Sequence, residues 1–144
     1  MAGHHERECM TLIVPNISDQ LALNLILGKS SAPTTQILRL FKNDFNPNKL
    51  TVYSDLIEAD QLGYVPITLN QSGWVIETLS NITTASYPEQ TFNFSTNTQV
   101  YGYYVTSTVD SEDYILWVER FNDAPFILPS DGGNISISLN IGAS

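Results

Sequence analysis

The sequence predicts an all-β, single-domain protein of the β-sandwich or jelly-roll kind, and three observations carry that expectation. Charged residues make up only 15% of the 144 residues, against roughly 25% in an ordinary globular chain. Ser, Thr and Asn, present 14, 13 and 12 times, take their place. These side chains hydrogen-bond locally to the backbone and favour turns and strands over helix interiors. Apolar residues recur with period two in short runs, and turn clusters separate the runs at roughly 8–12-residue spacing. No repeat of a solenoid or propeller is visible.

The elements follow in order. Residues 1–9 (Met-Ala-Gly-His-His-Glu-Arg-Glu-Cys) are polar and read as a flexible tail, with the domain running from 10 to 144. Met10-Thr11-Leu12-Ile13-Val14-Pro15-Asn16 reads as a strand ended by a proline, which has no N–H for a ladder. It serves either as the first strand of the domain or as an arm added to a neighbour's sheet edge. Leu21, Leu23, Leu25 and Leu27 alternate up to Gly28, although Asp19–Leu27 also carries i,i+4 spacing; the two periods compete, and strand is the reading taken. Thr34–Lys42 is a strand closed by Asn43-Asp44 and Asn46-Pro47-Asn48. Leu50–Leu62 fits one or two helical turns before Gly63. Further strands are expected at Tyr64–Leu69, Trp74–Leu79, Gln90–Ser95, Val100–Thr108, Tyr114–Phe121 and Asn134–Ile141.

Charge and residue types narrow the functions. A net charge of −9 repels phosphate backbones and anionic lipid, so neither a nucleic acid nor a membrane is expected as partner. The apolar runs, such as Tyr114–Val118, are too short to span a bilayer. No signal peptide is legible, and a lone Cys9 makes no disulfide within the chain, so a cytoplasmic site of synthesis is expected. His4, His5 and Cys9 are the only soft metal ligands and crowd into the tail, so no metal site, no cofactor and no His-based nucleophile is expected. The acidic groups Asp55/Glu58/Asp60 and Asp110/Glu112/Asp113 lack calcium-loop spacing and read as solvated turns. Phosphate-binding glycine motifs are absent, and five Asn-x-Ser/Thr sequons carry no assignment. No enzyme constellation emerges. The aromatics are the remaining candidates: alternation sets Tyr101 and Tyr103 on one strand face and Tyr104 on the other, with Trp74, Tyr87 and Trp117 on or beside strands. Such rings serve a core, an interface or a sugar-stacking face.

Three stretches carry a family resemblance. They are Leu12-Ile13-Val14-Pro15-Asn16, then Leu38-Arg39-Leu40-Phe41-Lys42-Asn43-Asp44 followed by an acidic segment and Gly63-Tyr64, and finally Gln90–Phe94, Tyr101-Gly102-Tyr103-Tyr104-Val105-Thr106 and Leu116–Phe121. In this order they resemble small virion structural proteins of tailed bacteriophages, cyanophages included, among them capsid cement or decoration proteins. The resemblance covers most of residues 10–141 and brings no catalytic residues. It implies a non-enzymatic protein of the capsid surface, assembled in the host cytoplasm, that binds the major capsid protein and stabilises the shell as a homotrimer on local three-fold axes. High acidity suits such a role, because net charge far from zero keeps a subunit soluble before assembly. The expected interface comprises Leu12, Ile13, Val14 and Pro15 with Tyr101, Tyr103, Tyr104 and Trp117. The alternatives are a receptor- or glycan-binding β module of a tail fibre or baseplate, and a carboxylate-dependent hydrolase.

Overall fold

The computed structural model describes residues 12–143 and is an all-β, antiparallel, sandwich-like domain. Its elements are α1 (Asn16–Ile26), β1 (Gln36–Phe41), β2 (Ile67–Leu69), β3 (Val75–Leu79), β4 (Ile82–Phe94), β5 (Thr98–Val100), β6 (Gly102–Val109), β7 (Glu112–Arg120), β8 (Phe126–Leu128) and β9 (Gly133–Ala143). Single 3-10 turns occur at Tyr53–Asp55 and Gln71–Gly73. One sheet has the order β2-β1-β6-β7, a second β3-β4-β9, and β5 pairs with β8.

The main core lies between the two larger sheets. Alternation aims Leu38 and Leu40 of β1, Phe92 and Phe94 of β4, and Ile135, Ile137 and Leu139 of β9 into one cluster with Tyr103, Val105 and Trp117. Val100 and Leu128 seal it from the β5–β8 ribbon. A second cluster occupies the opposite face of the first sheet: Phe41, Tyr104, Ile115 and Val118, covered by Leu56, Ile13 and Phe45. One irregularity sets this division. Val105 pairs with Trp117 but Thr106 with Ile115, so Leu116 is an extra residue in β7. The bulge turns Ile115 to the same outer side as Val118 while Trp117 points into the main core. The 13-residue β4 bends likewise at Tyr87/Gln90, where Pro88 sits at a bulge and needs no ladder bond.

Several expectations meet corrections here. Residues 16–26 form a helix, not a strand. Its end explains why: Gly28, at φ 72°, follows the C-cap residue Leu27. The Lys29 N–H bonds the Asn24 carbonyl and the Gly28 N–H the Leu25 carbonyl, a Schellman closure. Gly28, read as the end of a strand, is the residue that lets a helix stop. At the other end Asp19 lies in the first turn, where its charge suits the helix dipole, and Lys49 Nζ meets both Asp19 and the Val14 carbonyl at 2.6 Å. Leu50–Leu62 holds one short helical piece, the Tyr53–Asp55 turn, and Glu58 within it bridges Phe41. Strands β5 and β8 and the first half of β4 had no expectation, being too short or too polar to show a period. The expected tail, residues 1–9, lies outside the described residues.

Gly102 is a packing requirement of this arrangement. A Cβ there would lie 2.3 Å from the Glu119 carbonyl oxygen and 2.5 Å from the Phe41 ring. Gly102→Ala is expected to destabilise the fold by about 3 kcal/mol through overpacking, read as a fall in Tm on the order of 10 °C. A thermal melt within a degree of wild type would contradict this packing.

Candidate functional site

The residues expected at an interface divide between two fates. Tyr103 and Tyr104 are 2% and 1% exposed and Trp117 is 7% exposed, so the core takes all three rings, and of these Trp117 alone also lines a surface cleft. Tyr101 does not share a face with Tyr103. It precedes β6 at a break where its N–H bonds the Phe41 carbonyl and its own carbonyl accepts from the Phe121 N–H. There it packs with the Phe41/Tyr104 cluster, beneath the Arg120 guanidinium at 5.2 Å. The Leu12–Pro15 segment lies along its own chain: Ile13 and Val118 exchange both backbone bonds at 2.9 Å, and Pro15 is buried.

Five of the six carboxylates of the acidic turns are also engaged, each separately. Glu58 receives Arg39 Nη1 at 2.9 and 3.0 Å and the Tyr64 hydroxyl at 2.8 Å. Asp60 pairs with Lys42 at 2.6 Å, and Asp55 accepts the Val52 N–H, closing the 3-10 turn. Asp113 accepts from Thr108 and Glu112 from Tyr114. Among the described residues no group of three His, Cys, Asp or Glu side chains converges as a metal site needs. His4, His5 and Cys9 lie outside those residues.

What the surface does offer is apolar. At the end of α1, Leu23, Ile26 and Leu27 are 61–79% exposed, because only Ser18 and Leu21 of the helix are buried. Ser18 is tied to β7 through its hydroxyl, which donates to the Ile115 carbonyl. A groove of about 310 Å³ runs between α1, the Tyr53 turn and β7, lined by Ile17, Val52, Tyr53 and Ile115. The second patch is the β3–β4 hairpin. All five β3 residues are exposed, and Val75, Ile76, Leu79 and Ile82 stand in water. Ile76, Ala85 and Ile141 are in register across β3, β4 and β9 and continue the inner sheet face beyond the core. With Trp74, Trp117, Gln36 and Gln71 they line a shallow cleft of about 270 Å³. Trp74 Nε1 donates to Gln36 at 2.9 Å and its ring meets Trp117 edge-on at 6.0 Å, while Trp117 Nε1 is buried without a hydrogen-bond partner among the described residues.

No protein-family model matches the chain, and neither a curated protein sequence nor a solved structure is similar to it. Among the described residues no helix is long and apolar enough to cross a membrane.

A strand is expected at Trp74–Leu79, but the hairpin is not among the expected interface residues. Val75-Ile76-Glu77-Thr78-Leu79 is apolar on both faces, a pattern that belongs to strands covered on both sides. Only the tertiary arrangement shows that nothing among the described residues covers it.

The buried tyrosines make stability sensitive to alkali. Burial, followed by the Glu58 charge nearby, pushes the Tyr104 hydroxyl well above its ordinary value, and burial with the Glu58 contact does the same to Tyr64. Both stay protonated in the folded chain after the unfolded chain ionises near pH 10. Their stabilisation is therefore complete below about pH 10 and falls as pH rises toward the folded-state values. Each contributes a slope of about 1.4 kcal/mol per pH unit in that window. Tyr104→Phe is expected to remove one such slope, measured as urea-unfolding stability from pH 9 to 11; an unchanged slope would contradict the assignment.

Proposed function

We propose that this chain is a virion structural protein of a tailed phage, a capsid cement or decoration protein that binds the major capsid protein and strengthens the shell without catalysis. The observation that carries this reading is the exposed apolar surface at the α1 end and the β3–β4 hairpin. Contiguous apolar patches of this kind mark surfaces that bind partners. The acidic turns hold their carboxylates in separate pairs, which suits a binder. The resemblance of the strand motifs to small virion proteins supplies the partner. A subunit that binds only the assembled shell raises its stability by mass action, and several copies do so by multivalency. The α1 end is the surface assigned to the shell, as a projecting apolar helix end fits a groove in a larger partner.

A glycan-binding module of a tail fibre or baseplate is the second reading. It rests on the Trp74 cleft with its Gln36 and Gln71 amides, since stacking surface and amide groups together suit a sugar.

Purified chain mixed with shells that lack it is expected to cosediment saturably and to raise the shell's melting temperature. Ile26→Asp with Leu27→Asp, both exposed in the free chain, is expected to weaken that binding at least about tenfold by burying unpaired charge, with the far-ultraviolet circular dichroism of the free protein unchanged. Wild-type protein left in the supernatant at all concentrations would remove the capsid reading, and cosedimentation competed by host polysaccharide would favour the second.

A further inference from the structure

We propose that the Asn70–Trp74 turn carries a two-subsite binding site for an uncharged oligosaccharide, with one sugar ring against Trp74 and the next in the adjoining groove of Thr34, Thr68 and Ser72. It rests on the glycan-binding reading and names the ligand class. Gln71, which lines the Trp74 cleft, also lines a second groove of about 360 Å³ with Thr34, Thr35, Thr68, Asn70 and Ser72. One cleft is chiefly apolar and ringed, the other presents hydroxyls and amides, and Gln71 joins them. Together they fall within the roughly 300–1,000 Å³ typical of small-ligand sites.

The turn is held in place by the protein itself. The Asn70 N–H donates to the Tyr87 hydroxyl at 2.9 Å, and the Gly73 and Trp74 N–H groups close on the Asn70 and Gln71 carbonyls. A Cβ on Gly73 would lie 2.4 Å from the Tyr87 ring, so glycine is what lets the turn close on Tyr87. The Trp74 ring is braced edge-on by Tyr87 at 5.1 Å and by Trp117, yet stays only half-buried. Across the groove the Thr35 carbonyl accepts from the Ser107 hydroxyl at 2.6 Å, which fixes the stretch from Thr34 to Gln36. Trp74 Nε1 takes the Gln36 side-chain oxygen and so leaves the Gln36 amide nitrogen as a donor. Groups fixed beforehand lose little freedom when a ligand binds.

Residue chemistry selects the ligand. Among the described residues no charged side chain lines either cleft, and Glu77, the one charge on β3, alternates to the face opposite Ile76. An anionic sugar meets no cation there and is opposed by the net charge of −9. A cationic ligand meets no carboxylate. A wholly apolar ligand would strip water from the Thr34, Thr68 and Ser72 hydroxyls and the Gln71 amide without replacing its hydrogen bonds. A pyranose answers both halves of the site. Its C–H face covers an indole, and each of its hydroxyls both donates and accepts, matching the Thr, Ser, Asn and Gln side chains. Trp117 Nε1 is an independent sign of a polar ligand: it is a buried donor without a partner among the described residues, on a ring that lines the cleft.

The test is calorimetric titration of the full chain with neutral oligomers of glucose, galactose, mannose and N-acetylglucosamine, from monosaccharide to hexasaccharide, beside sialylated and uronic-acid oligomers. At least one neutral series is expected to bind, with Kd on the order of 0.1–1 mM for so shallow a site. Its disaccharide is expected to bind at least about tenfold more tightly than its monosaccharide, because the second ring engages as a tethered unit. Thr34→Arg, at an exposed position outside the ladders, fills the groove and is expected to erase that gain while leaving monosaccharide affinity unchanged. Trp74→Ala is expected to abolish binding of both. Because Trp74 also packs on the core, Gln71→Ala supplies a milder check: at this exposed position it is expected to weaken the disaccharide about fivefold, the loss of one neutral hydrogen bond, with an unchanged melting curve. Binding indifferent to both Gln71→Ala and Trp74→Ala overturns the proposal. Binding of charged glycans alone, or of mono- and disaccharide alike, overturns it and leaves the glycan-binding reading standing, whereas silence across every glycan removes both. Shell cosedimentation is scored separately, so neither result bears on the capsid reading.

Discussion

Strand β6 must be covered on both faces, and the rest of the architecture answers that demand. From Gly102 to Ser107 every residue is buried, which one sheet packed on one side cannot achieve. The β3-β4-β9 sheet covers the side of Tyr103 and Val105. The other side, with Tyr104, receives the long excursion between β1 and β2, the Ile13 bridge and α1. The bulge at Leu116 allows β7 to serve both layers, since it sends Trp117 one way and Ile115 and Val118 the other.

The polar residues hold the outer cover in place. Arg39 lies on β1 and reaches Glu58 in the excursion and Thr106 on β6, so one guanidinium joins three segments. Burial opposes its charge, but the Glu58 hydrogen bond and charge outweigh that and leave its pKa raised. Tyr64 links the same carboxylate to the β1 backbone by accepting the Leu40 N–H. Arg120 does similar work at the other end, meeting Asp44 at 2.8 Å and the Phe45 carbonyl at 3.0 Å. Four of the described cations are committed to such ties, and Glu77 is the single charge on β3.

The alternating residues of β1, β6, β7 and β9 were legible because each strand has at least one face in the main core, and burial imposes a period that composition cannot disguise. The candidate interface was less legible. Tyr103, Tyr104 and Trp117 are large amphipathic residues, equally suited to a core or a contact, and sequence spacing does not say which. Tyr101 escaped the alternation argument because the ladder begins one residue later. Val75 and Ile76 look like core residues in sequence and are not.

The sequence alone determined the all-β class, the position of most long strands and the acidic surface, because period and charge are local properties. It left two periods competing over Asp19–Leu27, read as strand; there local closure at Gly28, with Ser18 anchored on β7 and Leu21 buried, decided for helix. Tertiary structure alone decided which apolar residues stay in water, since that depends on where a covering layer ends. The second sheet runs past the first, and its β3 edge has no covering strand among the described residues.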